Sequence, residues 1–111
     1  MADKTLSQLT AEVVDIFEKY NSTGTNNWTA EIAAQDLPYQ VGSLTKAMMQ
    51  MAGNRFADGK SALQLRADLS DELADILAEV LFIAHELEID LSEAFANMLK
   101  SDNKKIEERS S

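Results

Sequence analysis

The sequence predicts an all-α fold, a bundle of four to five helices that is completed by oligomerisation. Hydrophobic residues make up 45% of the 111 residues, with a single Pro and four Gly, which is typical of a helical globular domain. Apolar residues recur at intervals of three and four, the period of a helix. Two of these repeats are longer than one small bundle needs, which predicts a homodimer or a dimer of dimers. The length fits a single domain, 1–111, and its first few residues and 107–111 are expected to be flexible.

The first helix is predicted over residues 6–20, where apolar side chains form a stripe on one face. The stretch 21–27 has the composition of a loop. The second helix is expected to begin near Trp28, with the side chain of Thr29 or Asn27 as its N-cap.

Pro38 lies inside the second helical pattern. Because proline lacks a backbone donor, we expect it to kink this helix or to divide it near Asp36. The apolar seam of the second helix follows a four-three spacing. It consists of Leu37, Val41, Leu44, Met48 and Met51.

A turn at 53–59 separates the second helix from the longest one, predicted over 61–88. Asp90 and Glu93 form a capping pair for a fourth helix at 91–108. The third helix carries an unbroken apolar seam with a row of acidic residues along its border. That seam consists of Leu69, Leu73, Ile76, Val80, Ile83 and Leu87.

The charge and composition exclude several classes of protein. A net charge of −9 disfavours nucleic acid as a partner, because that binding depends on Lys and Arg at phosphates. There is no apolar run of membrane-spanning length and no leader-like start, so neither a membrane partner nor secretion is expected. The absence of Cys excludes thiolate chemistry and is compatible with the cytoplasmic location that we expect. There is no phosphate-binding glycine-rich motif of the P-loop or Rossmann type.

Two carboxylates, Glu72 and Asp75, stand three residues apart on the predicted third helix and project from one face. Magnesium prefers such hard oxygen ligands. The surrounding segment, 71–95, resembles the MazG-like all-α nucleoside triphosphate pyrophosphohydrolases, and the resemblance extends over about residues 28–106.

The mark of that family is E-x-x-E, a spacer, and then E-x-x-D. Glu72 and Asp75 match the second half, whereas the first half falls on Gln40 and Ser43. Tyr39 stands where a further glutamate often precedes the first pair, and 28 residues separate Ser43 from Glu72. The chain therefore departs from the family at the positions that supply half of the metal-binding carboxylates.

The resemblance implies magnesium-dependent hydrolysis of a nucleoside triphosphate to the monophosphate and pyrophosphate. It implies that Glu72 and Asp75 bind Mg²⁺ and that Glu79, one turn beyond Asp75, binds the metal or orients water. Uncharged Gln40 and Ser43 weaken such a site, since binding of a hard cation depends on ligand charge. The triphosphate itself can still bring Mg²⁺ with it.

The resemblance also implies a phosphate-binding role for four residues that resemble the basic and Asn residues after the last helix of the family: Lys100, Asn103, Lys104 and Lys105. The alternative is that these cations simply favour the C-terminal end of a helix. Trp28 is a candidate for stacking on the base, or else an anchor in the core.

Three hypotheses follow for the function. The first is a MazG-like nucleotide pyrophosphohydrolase, whose activity the two replaced carboxylates would weaken or abolish. The second is a non-catalytic helical bundle of the same descent that binds a nucleotide or a protein, which Gln40 and Ser43 favour. The third, a plain helical interaction protein, is disfavoured by the Glu72–Asp75 match. Glu31 and Asp36 lie near Gln40 in the sequence and are candidates to replace the missing carboxylates.

Overall fold

Four helices account for most of the fold. The computed structural model describes residues 3–24 and 27–110, and within these it contains no strand. The helices are α1 (Leu6–Ser22), α2 (Ala30–Met51), α3 (Ala62–Glu86) and α4 (Leu91–Ser110). The all-α prediction is confirmed, with four helices in the described ranges.

Polar side chains cap the N-termini of these helices. Thr5 begins α1 and Ser61 begins α3, each in a capping box with a Gln three residues later. The hydroxyl of Thr29 accepts a hydrogen bond from the backbone N–H of Ile32, so Thr29 caps α2. The carboxylate of Asp90 accepts from the backbone N–H of Glu93 at 3.1 Å, as the predicted capping pair requires.

Pro38 does not divide α2, which runs unbroken from Ala30 to Met51. The side chain of Pro38 is exposed, and the helix packs against α3 more extensively than any other pair of helices does. Packing on both sides of the proline compensates for the one backbone hydrogen bond that it removes. The expected division near Asp36 was therefore wrong.

The core lies where α1, α2 and α3 meet. Phe17 of α1, Ala33 of α2 and Phe82 of α3 are buried against one another. The ring centroids of Phe17 and Phe82 are 4.3 Å apart, and those of Phe17 and Trp28 are 5.1 Å apart, both within the range of favourable aromatic contacts. This cluster fixes the arrangement of the three helices.

The face that α2 turns towards α3 differs from its predicted seam. The buried residues of α2 are Ala33, Ala47 and Gln50, whereas Met48 and Met51 remain about half exposed. Small side chains are buried here because they allow the two helix backbones to approach closely. Of the predicted seam, Leu37 and Leu44 are partly buried, whereas Val41 is exposed like the two methionines.

The last helix packs weakly against the others. No residue of α4 is buried, and Phe95, Met98 and Leu99 are about half exposed. The helix continues through Ser110, while residue 111 lies outside the described residues, so the expected flexibility of 107–111 stays a prediction. No helix of the described ranges is long and apolar enough to cross a bilayer.

We expect Phe82→Ala to lower the free energy of unfolding by about 3–5 kcal/mol, because it removes the most buried ring of the core. Phe56→Ala is the matched control, since Phe56 is 82% exposed, and should change stability by less than about 0.5 kcal/mol. Urea unfolding followed by circular dichroism measures both. Equal losses in the two variants would contradict this assignment of the core.

Candidate functional site

Two clefts lie along the contact between α2 and α3, and together they are here called the α2–α3 groove. The first, here called the aromatic cleft, has a volume of about 330 Å³; its lining includes Phe17, Tyr20, Trp28, Asp36, Gln40, Asp75 and Glu79. The second, here called the lysine cleft, has a volume of about 240 Å³; its lining includes Ser43, Lys46, Gln50, Lys60, Asp68 and Glu72.

The four positions of the family motif are divided between these clefts. Gln40 of α2 lines the aromatic cleft together with Asp75 of α3. Ser43 lines the lysine cleft together with Glu72. The structure thus pairs the two helices as the motif predicts, but it places Glu72 and Asp75 in separate clefts.

Gln40 forms a hydrogen bond with an acidic residue of its own helix. Its side-chain amide donates a hydrogen bond to the carboxylate of Asp36 at 3.1 Å, one turn earlier in α2. Both residues are partly buried and line the aromatic cleft with Asp75. Asp36 therefore brings to this groove a negative charge that Gln40 itself lacks.

Glu79 is the most unusual residue of the groove. Its side chain is only 4% exposed, and neither carboxyl oxygen has a hydrogen-bond partner in the described part of the chain. The pKa of Glu79 is raised to about 8, chiefly by burial, then by the neighbouring Asp36 carboxylate, and then by repulsion from Asp75. Glu79 is therefore largely protonated at neutral pH.

The lysine cleft holds cations beside Glu72. Lys60 forms an ion pair with Asp68 at 2.6 Å, and this hydrogen bond raises the pKa of Lys60. Lys46 lies 3.9 Å from Asp58 across the α2–α3 turn. The cleft in which the motif predicts a metal ion is therefore lined by two lysine side chains, Lys46 and Lys60.

A family model supplies the relation to known proteins. The model of the MazG nucleotide pyrophosphohydrolase domain matches residues 2–111. The chain belongs to the MazG family. MazG proteins act on nucleotides, generally use a divalent metal, and share the all-α fold seen here. No match to the chain was found among curated proteins or among solved structures.

The acidic side chains of this MazG domain, as far as the structure describes it, do not gather around one point. Across residues 3–24 and 27–110, no three side chains of His, Cys, Asp or Glu are arranged to hold a metal ion. Glu72 and Asp75 line different clefts, and Gln40 and Ser43 supply neutral oxygens only. Since Mg²⁺ needs an octahedral set of oxygens, most of its ligands would have to come from water and from the phosphates of a substrate.

The basic residues of the last helix lie away from both clefts. Lys100, Asn103, Lys104 and Lys105 are exposed on α4, and none of them lines the groove. Their predicted contact with phosphate stays a prediction. Within one MazG chain the structure does not bring these side chains to the motif residues.

Sequence reasoning placed Glu79 near the site but did not find its burial, and it named Asp36 only as a possible substitute. The positions of both residues relative to the motif could have indicated that they belong to the site. Asp36 precedes Gln40 by one helical turn, and Glu79 follows Asp75 by one turn, so each shares a face with a motif position. The motif could not predict that Phe17 and Tyr20 line the aromatic cleft, because both belong to α1, which lies outside the motif.

We expect the stability of this MazG domain to fall as the pH rises from 4.5 towards 8. The unfolded chain releases the Glu79 proton near pH 4.5, whereas the folded chain keeps it up to about pH 8. A raised acid pKa of this kind contributes stability that is fully present below the unfolded pKa and is lost as the pH rises to the folded pKa, by at most about 1.4 kcal/mol per unit.

Glu79→Gln cannot ionise and should therefore exceed the wild type in stability at pH 8 by about 2 kcal/mol or more. Urea unfolding at pH 5 and pH 8 measures this difference. Glu86→Gln, the same change at an exposed position of α3, should leave the pH dependence as it is. If the stability of E79Q falls with rising pH as much as that of the wild type, a group other than Glu79 causes the fall.

Proposed function

We propose that this chain is a nucleotide pyrophosphohydrolase that converts a nucleoside triphosphate and water to the monophosphate and pyrophosphate. The observation that carries the proposal is the α2–α3 groove, in which Glu72 and Asp75 stand opposite the two upstream motif positions. Family membership over the whole matched range, 2–111, supports the same chemistry.

In this reaction a water oxygen attacks the α-phosphorus, the bond from that phosphorus to the bridging oxygen breaks, and pyrophosphate leaves. Negative charge grows on the leaving group and must be screened. Because Gln40 and Ser43 carry no charge, we write the substrate as the Mg²⁺ complex of the nucleotide. Glu72 and Asp75 are the carboxylates that would meet this complex, while Gln40 and Ser43 would offer neutral oxygens.

The remaining predicted site residues are assigned as follows. Trp28 and Glu79 both line the aromatic cleft. In this proposal Trp28 would stack on the base and Glu79 would assist the reaction. The phosphate groups would be contacted by four side chains that a second copy of the chain supplies: Lys100, Asn103, Lys104 and Lys105.

A homodimer or dimer of dimers would cover the exposed apolar faces of α2, α3 and α4. A mass by light scattering equal to the single 12.3 kDa chain would contradict oligomerisation. We further propose a cytoplasmic protein with neither nucleic acid nor a membrane as its partner.

Three features favour the alternative, a non-catalytic member that binds a nucleotide or a protein. Two motif carboxylates are replaced, Lys60 stands in the cleft beside Glu72, and Glu79 is neutral near pH 7. Each of these lowers the negative charge available for a magnesium complex. Binding without hydrolysis is the outcome that these features support.

The deciding experiment is pyrophosphate release from a panel of standard and modified nucleoside triphosphates with Mg²⁺ or Mn²⁺. For an active enzyme, Glu72→Ala should lower release by roughly a hundredfold, because it removes one of the two remaining motif charges. Asp71→Ala is the matched control, since Asp71 is exposed next to Glu72 and lines neither cleft. No release from any substrate would favour the non-catalytic alternative.

Restoring the motif provides a second test. Gln40→Glu with Ser43→Glu should tighten Mg²⁺ binding and create or raise hydrolysis, because it adds two carboxylates opposite Asp75 and Glu72. Adding Asp75→Ala should abolish the gain.

Gln35→Glu with Ser70→Glu is the control for this restoration, since it adds the same charge at exposed positions outside the groove. Calorimetric titration with Mg²⁺ and pyrophosphate release measure the effects. If both double variants behave alike, the assumed pairing of α2 with α3 in the site is wrong.

A further inference from the structure

We propose that α4 of one copy of the chain packs into an apolar groove between α1 and α3 of a second copy, and that the second copy does the same in return. This apolar groove has a volume of about 230 Å³ and is lined by Leu9, Glu12, Val13, Ile16, Phe17 and Ala78. The inference rests on the proposed function in one respect, that the chain forms an oligomer. It adds the two surfaces that meet.

A single chain exposes more surface than a folded monomer of its mass. Its accessible surface is 8332 Å², whereas a monomer of 12.3 kDa exposes about 6,100 Å². Its radius of gyration is 17.4 Å, against about 13 Å for a compact domain of this length. The excess of about 2,200 Å² is larger than the roughly 800 Å² that each partner buries in a stable interface of standard size. The chain therefore has enough surplus surface for a second copy to cover.

The last helix supplies the apolar face that such an interface needs. None of the residues of α4 is buried, and Phe95, Leu99 and Ile106 are all about half exposed. They follow one another at intervals of four and seven residues, so they lie on one face of the helix. Covering this face would remove apolar surface from water, which is the main favourable contribution to protein association.

The apolar groove fits this face in chemistry and in length. Its lining is apolar except for Glu12. The exposed stripe of α1 extends beyond the groove, from partly buried Leu9 to half-exposed Tyr20. These two residues are eleven positions apart, as are Phe95 and Ile106 in α4. Each stripe is therefore about 16 Å long, and the two helices can pack along their whole apolar length.

Charge favours this pairing over a contact between two identical faces. Acidic residues outnumber basic ones nine to two in α1 and α3 together, whereas α4 holds four of each. Two α1–α3 faces would repel one another if they met, because both are strongly negative. The last helix has no net charge and meets no such repulsion. The α1–α3 face of one copy is therefore matched better by α4 of the other copy than by itself.

The apolar groove adjoins the aromatic cleft. Phe17 and Ala78 line both of them. A helix that fills the groove would therefore stand beside the cleft in which Trp28 and Asp75 lie. In the dimer, each aromatic cleft would have α4 of the other copy at its border, and the two copies would contribute to each site.

Cross-linking tests which surfaces meet. The chain contains no Cys, so single cysteines can be introduced without a competing thiol. Ile16→Cys and Leu99→Cys are prepared separately, one of them with a tag that changes its size, and are incubated together with a short bis-maleimide. We expect the product that joins I16C to L99C to exceed the product that joins Leu63→Cys to L99C by about tenfold, because a bound partner raises the local concentration of the thiol. Leu63 is the matched control, since it is 79% exposed and lies outside the groove.

Two outcomes of the cross-linking would overturn the proposal. In the first, L99C joins I16C no more often than it joins L63C. In the second, L99C joins mainly to another L99C, as it would if two copies of α4 packed against each other. Cysteine is a mild replacement at half-exposed positions, so this comparison does not depend on a strongly perturbed variant.

The dissociation constant of the dimer provides a second test. Ile16→Asp and Leu99→Asp should each raise it by about a hundredfold, because each places a charge inside an apolar contact. Leu63→Asp, the same change outside the groove, should leave it unchanged. Sedimentation equilibrium measures the constants, and circular dichroism checks that each variant is folded. Folded I16D or L99D that dimerises as tightly as L63D would overturn the proposal, and the cross-linking decides the matter if a charged variant does not fold.

Failure of this inference differs from failure of the proposed function, because cross-linking needs neither nucleotide nor metal. A dominant I16C–L99C product without pyrophosphate release would support the interface and contradict hydrolysis. Pyrophosphate release by a chain that stays monomeric would overturn the interface and leave hydrolysis intact. A dimer in which L99C joins mainly to itself would keep the proposed oligomer and overturn only this pairing of surfaces.

Discussion

The packing of Phe17 and Phe82 around Ala33 is the contact on which the rest of the structure depends. Ala33 is completely buried, and its methyl group allows α2 to come close to the rings from α1 and α3. Asp36 lies almost one turn after Ala33, and Glu79 almost one turn before Phe82. The same contact that closes the core therefore brings the acids of the two helices together at its border.

This position explains why the aromatic cleft contains a buried acid, Glu79. Glu79 and Phe82 are both buried residues of α3, so the packing of Phe82 against α1 and α2 also keeps Glu79 on the buried face of the helix. Neighbouring acids on α2 and α3 make its ionisation still less favourable. Natural proteins tolerate such a locally unfavourable arrangement mainly where a ligand can relieve it.

Much of the fold follows from local signals in the sequence. Thr5, Thr29 and Ser61 begin helices because their hydroxyl groups satisfy free backbone N–H groups, an interaction that needs no tertiary context. The motif spacing also indicated that α2 and α3 pair. The buried face of α2 could not be predicted in the same way, because periodicity selects the largest apolar residues whereas close helix packing selected Ala33 and Ala47. The burial of Glu79 depends on a small rotation of α3 about its axis, which the pattern of residues at the border does not determine.

The weak packing of α4 links its folding to association. A single helix of this length is marginal in water when none of its residues is buried, and the Asp90 cap gives α4 local support at its N-terminus. Any surface that covers Phe95 and Leu99 would then stabilise the helix as well as bind it. Where a second copy of the chain covers this face, the ordering of α4 and association would form a single equilibrium, and the order of α4 would depend on protein concentration while that of the Phe17–Phe82 core would not.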